Sequence, residues 1–83
     1  MNYNLYVTKD VVVGESMTQI NFYRNDAEAK RAWGNAIKAL SKNNPDNIPI
    51  KDLQLYKIGE FNTSSLEIKP CSEYIAAGAE FIS

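Results

Sequence analysis

The chain has no histidine and only one cysteine, Cys71, and these two scarcities set the first bounds on its chemistry. Without imidazole it lacks the usual general base and the commonest transition-metal ligand, which excludes His-based triads and zinc chemistry. A lone thiol forms no intrachain disulfide and points to a reducing compartment, with cytoplasm as the default. The four glycines and three prolines fall singly, so no linker or low-complexity tract divides the chain. No stretch approaches the ~18 apolar residues that span a bilayer. The first residues, MNYNLYVTKD, lack a basic region followed by an apolar run, and the expectation is a chain neither secreted nor membrane-spanning. Charge of one sign is missing too. Nine Lys and Arg stand against ten Asp and Glu, a formal charge of −1, so any nucleic-acid role has to come from a local patch.

What is present suits a small packed domain. Its 83 residues predict a single domain, 1–83, too short to enclose a large active site. A hydrophobic share of 45%, with five Tyr, three Phe and one Trp, is ample for a core and argues against disorder. Such a domain is expected to fold without a cofactor.

Tyr3, Leu5 and Val7 alternate with Asn4, Tyr6 and Thr8, the period-two pattern of a half-buried strand. Val11 to Val13 form an apolar run closed by a turn at Gly14-Glu15-Ser16, either continuing that strand or standing apart from it. Alternation over Met17 to Tyr23 predicts a second strand, antiparallel to the first.

Asn25 suits a helix N-cap, with Glu28 three residues on to return a bond to the cap's backbone N–H. Ala29, Ala32, Trp33, Ala36, Ile37 and Leu40 then share one helical face, which the sheet has to cover, and Gly34 falls on the other side. Ser41 to Pro45 stops the helix, giving a span of about Asp26 to Ser41.

Asp46 to Pro49 reads as loop and Leu53 to Phe61 as a third strand. The apolar side switches between Leu55 and Tyr56, which implies burial of both faces or a bulge. Asn62 to Ser65 carries turn chemistry, and Leu66 to Lys69 reads as the fourth strand, ended by Pro70. Ser72 to Ala77 is expected to begin a short C-terminal helix capped by Ser72. The predicted fold class is α+β: a four-stranded, mainly antiparallel sheet with one amphipathic helix on a face, in the order ββαββ, and a short C-terminal tail or helix.

Lys30, Arg31, Lys38 and Lys42 fall within about a third of the helix circumference, opposite Ala29, Trp33 and Leu40. That stripe suits a phosphate backbone, with Arg24 extending it and sheet aromatics offering stacking surfaces. The plainer reading is a solvated helix face, partly neutralised by Glu28. Tyr3, Tyr6, Phe22, Tyr23 and Tyr56 lie on predicted strands and form either an aromatic platform or core, with core the favoured reading, for Phe22 above all. Trp33 reads as a core anchor. Asp46, Asp52, Glu60, Glu67 and Glu73 lack metal-site spacing, and Cys71 has no histidine to activate it, so neither a metal site nor a catalytic residue is expected. Neither GxGxxG nor GxxxxGK followed by Ser or Thr occurs.

The order of YNLYVTKD, INFYRNDAEAKRAW, KDLQLYKIGEFN and EYIAAGAEFI resembles the small nonstructural protein of gokushovirus-like microviruses, single-stranded DNA phages. That family has an Asp-aromatic-x-Leu-aromatic block leading to xxGEFD, preceded by a helix start of the A-x-R type. Asp52, Leu55, Tyr56, Ile58, Gly59, Glu60 and Phe61 match the block, and Ala29, Arg31 and Ala32 match the helix start. Leu53 stands where an aromatic is usual and Asn62 where the aspartate falls.

The resemblance implies a nonenzymatic accessory protein acting in single-stranded genome synthesis or packaging. It would bind single-stranded DNA or a replication partner in the bacterial host cytoplasm, with no metal, cofactor or membrane. Arg24, Lys30, Arg31, Lys38 and Lys42 are the candidate nucleic-acid contacts. The rival reading is an inhibitor of a host protein, such as an anti-defence protein, which the near-neutral charge suits equally well. The strands carry more apolar residues than one helix covers, so a homodimer through an edge strand or the uncovered sheet face is also expected.

Overall fold

The structure, a computed structural model, describes residues 1–82. It is an α+β domain with one long helix and a five-stranded antiparallel sheet. The strands are β1 (Asn2–Asp10), β2 (Glu15–Ser16), β3 (Asn21–Tyr23), β4 (Leu53–Asn62) and β5 (Ile68–Ala77), and the helix is α1 (Asp26–Lys42). Short 3₁₀ turns, Ile50–Asp52 and Gly78–Phe81, precede β4 and follow β5. β1 lies centrally, with β2 and β3 sharing its outer edge and β4 on its inner side, and β5 closes the far edge.

The segment expected to be one strand from Met17 to Tyr23 is strand only from Asn21, preceded by the two-residue β2. Both pieces pair antiparallel with β1, as the alternation predicts. The Val11–Val13 run belongs to neither. Asp10 carries it through a turn, its Oδ1 accepting from the Val12 and Val13 amides at 3.0 and 3.1 Å. Gly14 completes the turn at φ +85°, a left-handed conformation that costs glycine little.

The helix begins where the cap predicts, with the Glu28 amide donating to Asn25 Oδ1 at 2.8 Å. Its buried face is turned from the expected one. Ala29, Trp33 and Ile37 are buried as read, but Ala36 is exposed and Gly34 is buried. The cause is the C-terminal 3₁₀ turn, whose Phe81 meets Trp33 edge-on at 5.8 Å and covers Gly34 so closely that a Cβ there would lie 2.5 Å from the ring. The face a helix buries is set by everything packed on it, and Phe81 arrives from 47 residues away in sequence.

β4 is irregular in its pairing. Its register against β5 slips at Leu55/Tyr56, where Ile75 is the extra residue on β5, and against β1 at Ile58; from Leu53 to Lys57 β4 alternates regularly, with Leu53 and Leu55 facing α1 and Tyr56 facing away. The tight connection to β5 is held by Asn62, whose Oδ1 accepts from the Ser64 and Ser65 amides at 2.8 and 3.1 Å. An aspartate accepts the same two bonds, so Asn62 leaves this turn intact.

The strand after that turn is longer than expected. It starts at Ile68, passes through Pro70 and runs to Ala77, so Ser72 to Ala77 is strand and not helix. Pro70 does not end it because β5 is an edge strand, where a missing N–H is tolerated. Opposite, Gly59 lets the β5 backbone come close, since a Cβ there would lie 2.9 Å from the Lys69 carbonyl. Ten residues of β4 to pair with outweigh the weak helical pattern of a segment containing Ala76, Ala77 and Gly78.

The core lies between α1 and one sheet face: Tyr6, Ala29, Trp33, Ile37, Ile50, Leu53, Leu55 and Ala76. On β1 the residues that meet the helix are Tyr6 and Thr8, the side of the strand with fewer aliphatic residues. Their hydroxyls are satisfied there. The Trp33 indole N–H donates to Thr8 Oγ1 at 2.9 Å, and the Tyr6 hydroxyl donates to Asp26 Oδ1 at 2.6 Å while accepting from Asn4 Nδ2 at 3.0 Å. Burial raises the Tyr6 phenol above its ordinary value, and the Asp26 carboxylate raises it further.

Two outcomes follow for stability. Trp33→Ala should cost about 3 to 5 kcal/mol in urea unfolding, since it empties the centre of the core. Tyr6 holds its proton in the folded state at pH values where an unfolded tyrosine, with its ordinary value of 10.0, releases it. Its contribution is therefore fully present below about pH 10 and is lost as pH climbs toward the raised folded value. Tyr6→Phe should cost about 1 kcal/mol at neutral pH and flatten the alkaline loss measured by denaturant titration.

Candidate nucleic-acid interface

The five cations singled out from the sequence are all exposed, and the fold divides them. Arg24 and Arg31 border a shallow depression at the start of α1 together with Asn25, Ala27 and Glu28. Lys38 and Lys42 border another at its end, beside Ser41 and Phe81. Lys30 lines neither. From Arg31 to Lys42 the stripe runs about 16 Å along the helix. Among the described residues the ion pairs are Arg24 Nε to Glu28 Oε2 at 3.4 Å and Lys57 Nζ to Glu60 Oε1 at 3.6 Å. Glu28 thus turns to Arg24 rather than back to the cap amide, and among the described residues Arg31, Lys38 and Lys42 have no carboxylate partner.

The stripe cannot share a short ligand with the sheet aromatics, because the helix itself lies on the sheet and points these cations outward. The aromatics divide as well. Tyr6 and Tyr23 pack together on the helix side at 5.8 Å, as core residues. Phe22, expected in the core, is 55% exposed on the other face. The reason is register: Phe22 pairs with Leu5, and Leu5 points away from α1.

Pairing carries that face across the sheet. Tyr3 lies opposite Phe61, Val7 opposite Tyr56 and Lys9 opposite Gln54, and in β5 Ile68 pairs with Phe61 and Tyr74 with Tyr56. Tyr3, Phe22, Tyr56, Phe61 and Tyr74 therefore share one surface with the buried Leu5 and Val7, on the side of the sheet that α1 leaves uncovered. Tyr56 and Tyr74 meet edge-on at 6.1 Å, and Lys9 Nζ sits 5.8 Å from the centre of the Tyr56 ring. A hollow of about 300 Å³ opens here, lined by Val7, Lys9, Ser16, Tyr56, Ile58 and Ser72. Of these, sequence reasoning singled out only Tyr56 as a possible contact. Lys9, Ser16 and Ser72 carry no local signal, since only strand register brings them together.

The carboxylates of the strands, Asp10, Glu15, Glu60 and Glu73, register onto the opposite face. Cys71 is half-buried, with its Sγ 3.7 Å from the Lys57 carbonyl. Among the described residues no three His, Cys, Asp or Glu side chains gather as a metal site would, and no helix is long and apolar enough to cross a membrane.

One protein-family model, described as Phage ORF5 protein, matches residues 3–81. No curated protein and no solved structure matches the chain.

Because the Arg24–Glu28 pair is exposed, Glu28→Gln should lower helix stability by no more than about 0.5 kcal/mol in thermal unfolding, while freeing Arg24.

Proposed function

The chain belongs to the Phage ORF5 protein family, and on that footing we propose that it is a nonenzymatic accessory protein of a gokushovirus-like microvirus. It acts in the bacterial host cytoplasm, in synthesis or packaging of the single-stranded genome, by binding single-stranded DNA or a partner in replication. The observation that carries this reading is the outer surface of α1, where Arg31, Lys38 and Lys42 are exposed and, among the described residues, no carboxylate pairs with them. Arg24 joins them when Glu28 releases it, and Lys30 flanks the stripe. Three or four cations along one helix supply local attraction for a phosphate backbone that the net charge of −1 does not.

A second reading is an inhibitor of a host protein, such as an anti-defence protein. The Val11–Val13 turn favours it, holding Val12 and Val13 at 73% and 68% exposure on a tip whose amides Asp10 binds. Purification of the tagged protein from infected cells, with and without nuclease, separates the two: nucleic acid in the eluate supports the first, and a single host protein that survives nuclease supports the second.

For the single-strand reading, oligonucleotide affinity should fall with salt at a log–log slope of about 3, from about 0.7 per phosphate and four contacts. Lys30, Arg31 and Lys38 changed together to Gln should flatten that slope in fluorescence anisotropy and leave the melting temperature nearly unchanged. Absence of any salt-dependent binding at low ionic strength would transfer the assignment to the protein partner.

A further inference from the structure

The nine aromatic residues fall into two groups with nothing between them. Tyr6, Tyr23, Trp33 and Phe81 belong to the core and its margin. Tyr3, Phe22, Tyr56, Phe61 and Tyr74 register onto the uncovered sheet face. We propose that this uncovered face, and not the helix, is where the bases of a single-stranded nucleic acid lie, with one base in the hollow against Tyr56 and its phosphate on Lys9. The proposal rests on the single-strand reading above and adds where the bases sit.

Two observations commit the face to this occupant. The first is charge. Lys9 is the cation of the face, and the strand carboxylates Asp10, Glu15, Glu60 and Glu73 all lie on the other side. Glu80 sets its carboxylate beside the Tyr74 hydroxyl, outside the hollow that holds Lys9. A nucleic acid brings a phosphate for each base. The second is the hollow. It holds about 300 Å³, enough for one nucleobase, and combines an aromatic ring, the ammonium 5.8 Å from that ring's centre, and the hydroxyl-bearing Ser16 and Ser72. A base stacked on Tyr56 takes the ring's face, the ammonium passes to the phosphate, and the hydroxyls meet polar base edges. Outside the hollow, Phe22 and Tyr74 stand more than half exposed, without a partner that their removal would orphan in the core. Stacking on such rings tolerates any base, as a genome-length single strand requires.

The experiment titrates an oligothymidylate long enough to reach both the sheet face and α1 into the isotope-labelled protein at low salt, with NMR shifts read at every residue and affinities taken by anisotropy. Ring-current shifts at Val7, Lys9, Ile58 and Ser72 are expected. Tyr74→Ala and Phe22→Ala, at exposed positions where folding is not at stake, should each weaken binding about ten-fold and leave the salt slope unchanged. Tyr56→Phe, which keeps the ring, should bind like the wild type, and an abasic strand of equal length should bind the wild type about as weakly as the stacking variants. Shifts confined to α1 around Arg31, Lys38 and Lys42, with wild-type affinity in both alanine variants, would overturn the proposal and leave the single-strand reading standing. Absence of binding altogether would remove both. A dimer in sedimentation whose Val7, Ile58 and Tyr74 signals are protected before DNA is added would give the face to a second copy and overturn it as well.

Discussion

A single helix of seventeen residues faces a sheet that has two sides, and two polar contacts fix which side it covers. The Trp33 indole has to donate to something once buried, because an unpaired donor in the core costs about 1 to 3 kcal/mol. Thr8 on β1 supplies the acceptor at 2.9 Å. Twenty residues along from Tyr6, Asp26 in the first turn of the helix accepts the tyrosine hydroxyl at 2.6 Å. These bonds tie both the start and the middle of α1 to the Tyr6/Thr8 side of β1. Among the described residues no buried side-chain polar atom is left without a partner.

The other face follows from that choice. With α1 committed, Leu5 and Val7 are shielded only by their neighbours in the sheet, and the aromatics in register with them stay at the surface. The chain thus separates its chemistry by side. Strand carboxylates and the helix occupy one face; rings, aliphatics and one lysine occupy the other. A near-neutral total charge conceals this, because the helix cations and the strand carboxylates offset one another on the same side of the sheet. An apolar, ring-bearing face on a domain of this size is unusual for a surface meant only for solvent.

Much of the fold was legible because it is local. The Asn25 cap, the run of Ala29, Trp33 and Ile37, the stop before Pro45 and the Asn62 turn all act over a few residues, and each stands where its chemistry puts it. The slip at Leu55/Tyr56 was one of two readings left open by the change of apolar side there, and its extra residue, Ile75, lies on β5. The errors share one cause, contact at a distance. Gly34 is buried because Phe81 reaches it, Phe22 is exposed because Leu5 is its partner, and Ser72 to Ala77 is strand because β4 offers it a full edge. The candidate site divides in the same way. The helix cations could be numbered from the sequence by helical spacing alone, whereas the hollow joins Lys9, Ser16, Tyr56 and Ser72 from four strands.

By itself the sequence determined the class of the domain, its helix and cap, the presence of two antiparallel pairs, and the absence of imidazole, because each depends on residue type and short-range spacing. Only the tertiary structure decided which side of β1 faces inward. Alternation marks two sides of a strand without saying which is buried, and here a tyrosine and a threonine, with partners waiting on the helix, took the inside while tyrosine, leucine and valine were left to the outer face.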